Sequence, residues 1–400
     1  MFRKTISPLA LTLLSLLAPS AVANETVSAQ LDRLTLPQKA AQVIMGTAVG
    51  TEWNHRFARL VRDLKIGGLT YFGYNTKAGA RSVAKLSAAI FNASRGSIPP
   101  FIAVDHEGGG IVRLRNGVFV PPRGPVLGAM RSIALAREVG RAVGEDLALL
   151  GINMNYAPVL DVIAGRAAHR VLGARAMGSD PARVAEIGAA IIRGLQEAGV
   201  SSAPKHFPGQ GAATVDSHKE LPVIDQTLDG LRTRELPPFV AAIAAGADAI
   251  TTAHISLPRV EGGAEPATLN RRILTDLLRS ELKFGGVIIS DGLAMKAVSG
   301  RFGINEAAVR ALAAGADMLA VYWTPEKIRG VRDAIVAAVK SGRIPRERLD
   351  DAVRRILAVK EKRGLFTAHP LAPDEAVRRL RDPARIKARK DLLRRIAARE

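Results

Sequence analysis

A chain of 400 residues, 48% of them hydrophobic, can bury a large core; this excludes disorder as a description of the whole and suits either one barrel or two ordinary domains. It has no cysteine, which excludes disulfides, thiolate nucleophiles, Cys-based zinc sites and a lipidated-cysteine anchor. The formal charge of +20 suits polyanionic surroundings, and few aromatics interleave with the basic residues to stack on bases, so anionic cell-wall polymers or membrane surfaces fit better than nucleic acid; arginine spread over solvated helix faces is the plainer reading of the same charge.

In chain order, Arg3 and Lys4, the apolar run Leu9 to Leu17 and Ala21-Val22-Ala23 form the three-part pattern of a cleaved export leader over residues 1–23. The expectation is a periplasmic or secreted protein whose mature chain starts near Asn24. The apolar run is too short to span a bilayer as an ordinary membrane helix, and no later segment approaches that length without Gly or charge, so no integral membrane span is expected. Eight apolar segments follow, predicted as strands over Gln42 to Val49, Gly67 to Phe72, Phe101 to Asp105, Asn153 to Leu160, Val200 to Lys205, Ala249 to His254, Val287 to Asp291 and Met318 to Tyr322. Between and after them lie stretches of helical periodicity: Ser82 to Ala93, Ile133 to Leu150, Pro181 to Ala198, Leu236 to Ala245, Arg271 to Leu282, Glu306 to Ala314, Pro325 to Val339 and Arg346 to Lys362. The alternation predicts an α/β fold of the (β/α)8 kind over residues 24–365. A doubly wound sheet would gather its polar residues at one switch point, whereas here they stand at the ends of strands dispersed along the chain. Residues 366–400 turn to Arg, Ala and Leu and predict a basic helical extension.

The strand ends hold the chemistry. Lys205-His206-Phe207-Pro208-Gly209-Gln210-Gly211 leads to Asp216-Ser217-His218. An Asp two residues from a His can bond its imidazole, fix the tautomer and make a proton shuttle working near neutral pH. Asp291 ends an apolar strand before Gly292, a position that suits a rigidly aimed nucleophile and equally a helix N-cap. Asp105 ends another strand, ahead of His106, Glu107 and three glycines, which serve either a tight turn or close approach to a ligand. Arg113 and Arg175 follow separate strands and can hold substrate oxygens through forked hydrogen bonds, or be surface charges. Lys205 and His206 can donate to hydroxyls or to their own loop. For His254, a hydrogen-bonded rim histidine is the simpler reading.

Together, Val104-Asp105-His106-Glu107-Gly108-Gly109 with Arg113, Gly173-Ala174-Arg175-Ala176-Met177-Gly178-Ser179-Asp180-Pro181, Lys205 to His218, and Ser290-Asp291-Gly292-Leu293-Ala294-Met295 resemble glycoside hydrolase family 3, in particular its bacterial β-N-acetylglucosaminidase branch. Four motifs in the right order make the resemblance specific. It implies Asp291 as nucleophile, His218 as general acid/base, Asp216 as the residue that orients it, and Asp105, Arg113, Arg175, Lys205 and His206 as binders of a terminal N-acetylglucosamine. It implies no cofactor and no metal, and a carbohydrate substrate in cell-wall fragments. The stretch Val162 to Arg170 departs from the Asn- and Pro-containing loop usual in relatives, and His106 stands where Gln is usual. A β-glucosidase of the same family, a non-catalytic wall-binding barrel, and a metal-dependent hydrolase using His206, His218, His254 and Asp291 are the rival readings.

Overall fold

The computed structural model describes residues 20–263 and 265–398; most of the segment expected to be a leader, residues 1–19, lies outside them. The strands are β1 (Ile44–Gly46), β2 (Gly68–Tyr71), β3 (Phe101–Val104), β4 (Met154–Asn155), β5 (Ser201–Ser202), β6 (Lys205–Phe207), β7 (Ala249–Thr252), β8 (Val287–Ile289) and β9 (Leu319–Ala320), and every one is buried along its length. Burial on both faces is why they read as continuous apolar runs rather than alternating ones. All pairings are parallel, in the order β5-β4-β3-β2-β1-β9 and β6-β7-β8. Parallel bridges Val159–Lys205 and Ile289–Met318 join the two sets, so the strands close into a (β/α)8 barrel in which β5 and β6 share one position.

The strands are shorter than the sequence predicts, because ladder pairing stops where the rim loops begin. The predicted Val200 to Lys205 strand is in two pieces for a local reason: Pro204, which has no N–H for the ladder, separates them. All eight predicted helical stretches are helical, and Arg272–Glu281 is wound as a π-helix. Short helices escape the periodicity reading, among them Leu36–Gln42, Gly165–Leu172 and Lys296–Phe302.

Outer helices pack through small residues. On helix Ile133–Leu149, a Cβ at Gly140 would come within 2.3 Å of the Ile191 carbonyl on helix Pro181–Glu197, an approach only glycine permits. Beyond the barrel, Pro373–Leu380 packs on helices Ala80–Ala93 and Ile133–Leu149, and Pro383–Ala397 on Ile133–Leu149.

Near the N-terminal end of β3 a lysine is fully buried. Lys360 donates to Gln42 Oε1 (2.9 Å) and lies over the Phe101 ring (5.2 Å to the centroid), and no carboxylate pairs with it among the described residues. Burial holds its pKa well below the usual 10.5. The unfolded chain therefore binds a proton here that the folded chain resists, and the cost to stability grows as pH falls below that usual value. Lys360→Met is expected to stabilise the fold, because it removes a charge that burial disfavours. Denaturant titrations at pH 6 and pH 9 should show the larger gain at pH 6; a gain independent of pH would assign it to packing alone.

Candidate active site

The C-terminal ends of the strands surround one cavity of about 740 Å³. Its lining includes Asp105, Arg113, Arg175, Lys205, His206, Asp216, His218 and Asp291, which are all of the site residues taken from the sequence. They come from four different strand positions, those of β3, β4, β5/β6 and β8, the arrangement by which a barrel rim assembles a site.

One wall is an ion-pair network. Asp105 stands one residue past β3, and Lys205 opens β6. The Lys205 ammonium donates to Asp105 Oδ1 (2.5 Å) and contacts Glu107 Oε1 (2.6 Å), while Arg175 clamps Glu107 through two parallel bonds of 2.8 and 2.9 Å. Burial opposes charge on all three of Lys205, Glu107 and Arg175, but mutual attraction wins. Glu107 is held down to about 2 by Lys205 and Arg175, and Lys205 is raised by Asp105 and Glu107. The wall is thus a fixed array of charges with donors and acceptors aimed at one space. Arg113 lines it with its guanidinium over the Phe72 ring, 5.9 Å from the centroid. Phe72, Tyr74, Tyr156 and Tyr322 also line the cavity in a chain that is only 4% aromatic, offering flat apolar faces beside the polar groups.

His206 is oriented from behind. Its Nδ1 lies 2.7 Å from Asp161 Oδ2, which leaves Nε2 facing the Arg175 guanidinium at 3.4 Å. Asp161 also accepts the Gln210 N–H (2.8 Å), so one buried carboxylate fixes both the ring and the loop after it. Gly211 brings this loop against the segment that follows β4, where a Cβ would sit 1.8 Å from the Val162 carbonyl. The glycines after Glu107 are explained by the turn. Gly108 and Gly109 have φ of 99° and 60°, and a Cβ on Gly108 would collide with the Pro122 carbonyl at 2.3 Å.

Asp291 sits at the cavity floor just past β8. The Gly292 N–H donates to its Oδ1 (2.7 Å), and its own N–H donates to Thr252 Oγ1 (3.3 Å). Burial pushes its carboxyl up; His254, His206, the Gly292 N–H and Lys205 outweigh that and hold it below the ordinary value. Burial also lowers the pKa of His254, so near pH 7 that ring is neutral, and the Gly292 N–H and Lys205 ammonium keep Asp291 ionised. His254 itself is fully buried, bonded to Thr268 Oγ1 (2.9 Å) and the Gly292 carbonyl (3.0 Å), and does not line the cavity.

The Asp216–His218 pair stands at the open side of the cavity. Asp216 Oδ1 accepts from both the His218 backbone N–H (2.9 Å) and its Nδ1 (2.8 Å), and the His218 side chain is 72% exposed. Partial burial acts to raise Asp216, but the two His218 bonds and Lys219 hold it below its ordinary value. With Nδ1 donating to a carboxylate, Nε2 is left for proton exchange with a ligand. The Ala297 N–H donates to the Ser217 carbonyl (3.4 Å), tying this loop to the segment that follows Asp291.

Glu107 and Asp161 carry much of this geometry, yet the sequence reading gave them no role. Each had a signal: a charged residue within two positions of a predicted strand end. The departing stretch Val162 to Arg170 winds into helix Gly165–Leu172, whose last two residues, Val171 and Leu172, line the cavity. Among the described residues no group of three or more His, Cys, Asp or Glu side chains is placed to hold a metal ion.

A closed barrel whose rim sets a carboxylate and an Asp-held imidazole around a hydroxyl-sized array of donors and acceptors defines the class: a glycoside hydrolase. The model of the glycosyl hydrolase family 3 N-terminal domain matches residues 35–359, and the chain belongs to that family. The β-hexosaminidase of Thiobacillus denitrificans is 36% identical over 289 residues, covering 71% of this chain and 79% of its own. That of Pseudomonas aeruginosa is 40% identical over 270 residues, covering 65% and 76%. Among solved structures, a family 3 β-N-acetylglucosaminidase from a Paenibacillus strain superposes with a TM-score of 0.81 at 40% identity, over 87% of this chain and 68% of that one. NagZ from Neisseria gonorrhoeae, in complex with N-trifluoroacetyl-D-glucosamine, gives 0.72 at 28% identity, over 88% and 96%.

Proposed function

We propose that the protein is a retaining, exo-acting β-N-acetylglucosaminidase that removes terminal β-linked N-acetylglucosamine. The observation that carries this reading is the sharing of one cavity by Asp291, ionised at its floor, and the Asp216–His218 pair at its mouth. The names borne by its relatives, β-hexosaminidase and β-N-acetylglucosaminidase, point the same way.

In the first step an Asp291 oxygen attacks the anomeric carbon and the C1–O bond to the aglycone breaks, while His218 Nε2 gives its proton to the departing oxygen. In the second, His218 takes a proton from water, whose oxygen displaces Asp291 from C1 and releases the sugar with its configuration retained. Retaining enzymes ordinarily place two carboxyl groups about 5–5.5 Å apart; here an imidazole takes the place of one. Asp216 holds that imidazole in the tautomer the step needs. Asp105, Lys205, His206, Arg175 and Arg113 take the sugar's hydroxyls, with Glu107 and Asp161 keeping the cations and the ring in place.

The leader pattern over residues 1–23 and the basic composition support export and action on cell-wall fragments, where an acid that is not a carboxylate avoids repelling an anionic aglycone. The deciding assay sets an aryl N-acetyl-β-glucosaminide beside an aryl β-glucoside with EDTA present. Preferential hydrolysis of the first, indifferent to the chelator, is expected. Preference for the glucoside, or binding of N-acetylglucosamine without turnover of either, would overturn the reading.

A further inference from the structure

The C-terminal helix Pro383–Ala397 lies outside the residues matched to the family domain, yet it is bonded into the barrel at one fully buried carboxylate. Asp146, on helix Ile133–Leu149, receives Arg389 and Arg385 (3.0 Å) from the C-terminal helix on Oδ1. Its other oxygen accepts the Phe119 N–H (2.6 Å), and Arg389 also donates to the Gly117 carbonyl (3.0 Å). One arginine thereby holds the 117–119 segment twice, once directly and once through Asp146.

That segment is the far end of the loop that begins at Asp105. The Phe119 carbonyl lies 3.0 Å from His106 Nε2, and burial lowers the His106 pKa to about 4, so the ring is neutral and donates through this nitrogen. His106 is further locked by Asn155, which accepts its N–H (3.0 Å) and donates to its carbonyl (3.2 Å). On either side of His106 stand the two carboxylates that grip Lys205. A continuous set of bonds thus runs from Arg389 through Asp146, Phe119 and His106 to Asp105 and Glu107.

We infer that the C-terminal helix is a clamp on the substrate loop, with Arg389 a positioning residue that sets Asp105, Glu107 and Arg113 for the sugar. The inference rests on the reading of that loop as sugar-binding. Arg389 touches no substrate; it acts by denying the 106–119 loop its alternative conformations, so its removal loosens binding of the sugar more than it slows the chemistry at Asp291.

The test compares the full-length protein with Arg389→Met and Arg389→Lys by two readouts. Backbone hydrogen exchange over residues 106–119, at a temperature where circular dichroism shows each variant folded, is expected to quicken in Arg389→Met. KM for an aryl N-acetyl-β-glucosaminide is expected to rise on the order of tenfold while kcat stays within about threefold, as for a lost positioning contact. Arg389→Lys retains the bond to Asp146 but not the bond to Gly117 as well, and should fall between; if Arg389→Met does not fold, the lysine variant carries the comparison. Unchanged exchange over 106–119, or quickened exchange with KM unmoved, overturns the positioning role. A wild-type protein without glycosidase activity counts against the proposed function alone, since hydrogen exchange still decides the clamp.

Discussion

Asp291→Asn is expected to abolish turnover of every β-N-acetylglucosaminide, whereas His218→Ala should lose activity in proportion to how badly the leaving group needs a proton. The carboxylate forms the new bond to C1, so no leaving group, however good, substitutes for it. The imidazole supplies a proton in the first step and removes one in the second, a contribution of about 10² to 10⁴ with a poor leaving group. An activated aryl leaving group departs with little protonation. Its release should therefore survive His218→Ala in the first turnover and slow afterwards, because the glycosyl-enzyme then waits for water without a base. Stopped-flow kinetics of a nitrophenyl glycoside should show a burst followed by a slow phase in His218→Ala, and neither in Asp291→Asn. Equal losses for the two variants on the activated substrate would contradict these roles. Asp216 adds a gradation. Its carboxylate holds Nδ1 of an exposed ring, so Asp216→Asn should lower kcat while leaving KM almost unchanged.

What could be read from the chain depended on how local each signal was. The barrel strands are buried on both faces and so announce themselves as apolar runs; their ends do not, since parallel pairing stops according to the neighbouring strand's length and not to any residue of their own. Asp216 and His218 are two positions apart, and their bond was visible in the spacing. The partners of the deeper network are remote in sequence: 45 residues separate His206 from Asp161, 68 separate Arg175 from Glu107, and 100 separate Lys205 from Asp105. No periodicity records such pairs, and only the resemblance to a family drew Lys205 and Asp105 together beforehand. Asp146 and Arg389 are 243 residues apart, and nothing in the sequence near either one signals the other. Helix Gly165–Leu172 was hidden because a short basic segment opening on glycine lacks the length over which a 3.6-residue period can be counted.

The second large effect is expected at Lys205, where stability and binding meet in one side chain. Its ammonium lies between Asp105 and Glu107, and the side chains of Lys205 and Glu107 are only 6% and 3% exposed. Lys205→Met keeps the stem but leaves two carboxylates facing each other with Arg175 as the remaining cation on Glu107. Removing one partner of a buried ion pair typically costs about 3–5 kcal/mol, because the other charge remains desolvated. The pH dependence carries the sign. In the wild type Glu107 titrates near 2 instead of its usual 4.5, so its contribution is complete above 4.5 and is lost as pH falls through about 2. In Lys205→Met the opposing effect of burial is less well met, the Glu107 pKa rises, and the carboxyl neutralises at a higher pH than in the wild type. The stability gap between the two proteins should therefore be widest near pH 7 and narrow on acidification, as the unpaired charge takes up a proton. Urea titrations at pH 7 and pH 4 measure this gap, and a gap equal at both would assign the loss to packing. For catalysis the same substitution removes a donor to the sugar and frees Asp105 to move, and a drop in kcat/KM on the order of 10² is expected, the scale of an ångström of misplacement. Adding N-acetylglucosamine should recover less stability in Lys205→Met than in the wild type, since the ligand then binds a wall whose charges no longer hold one another in place.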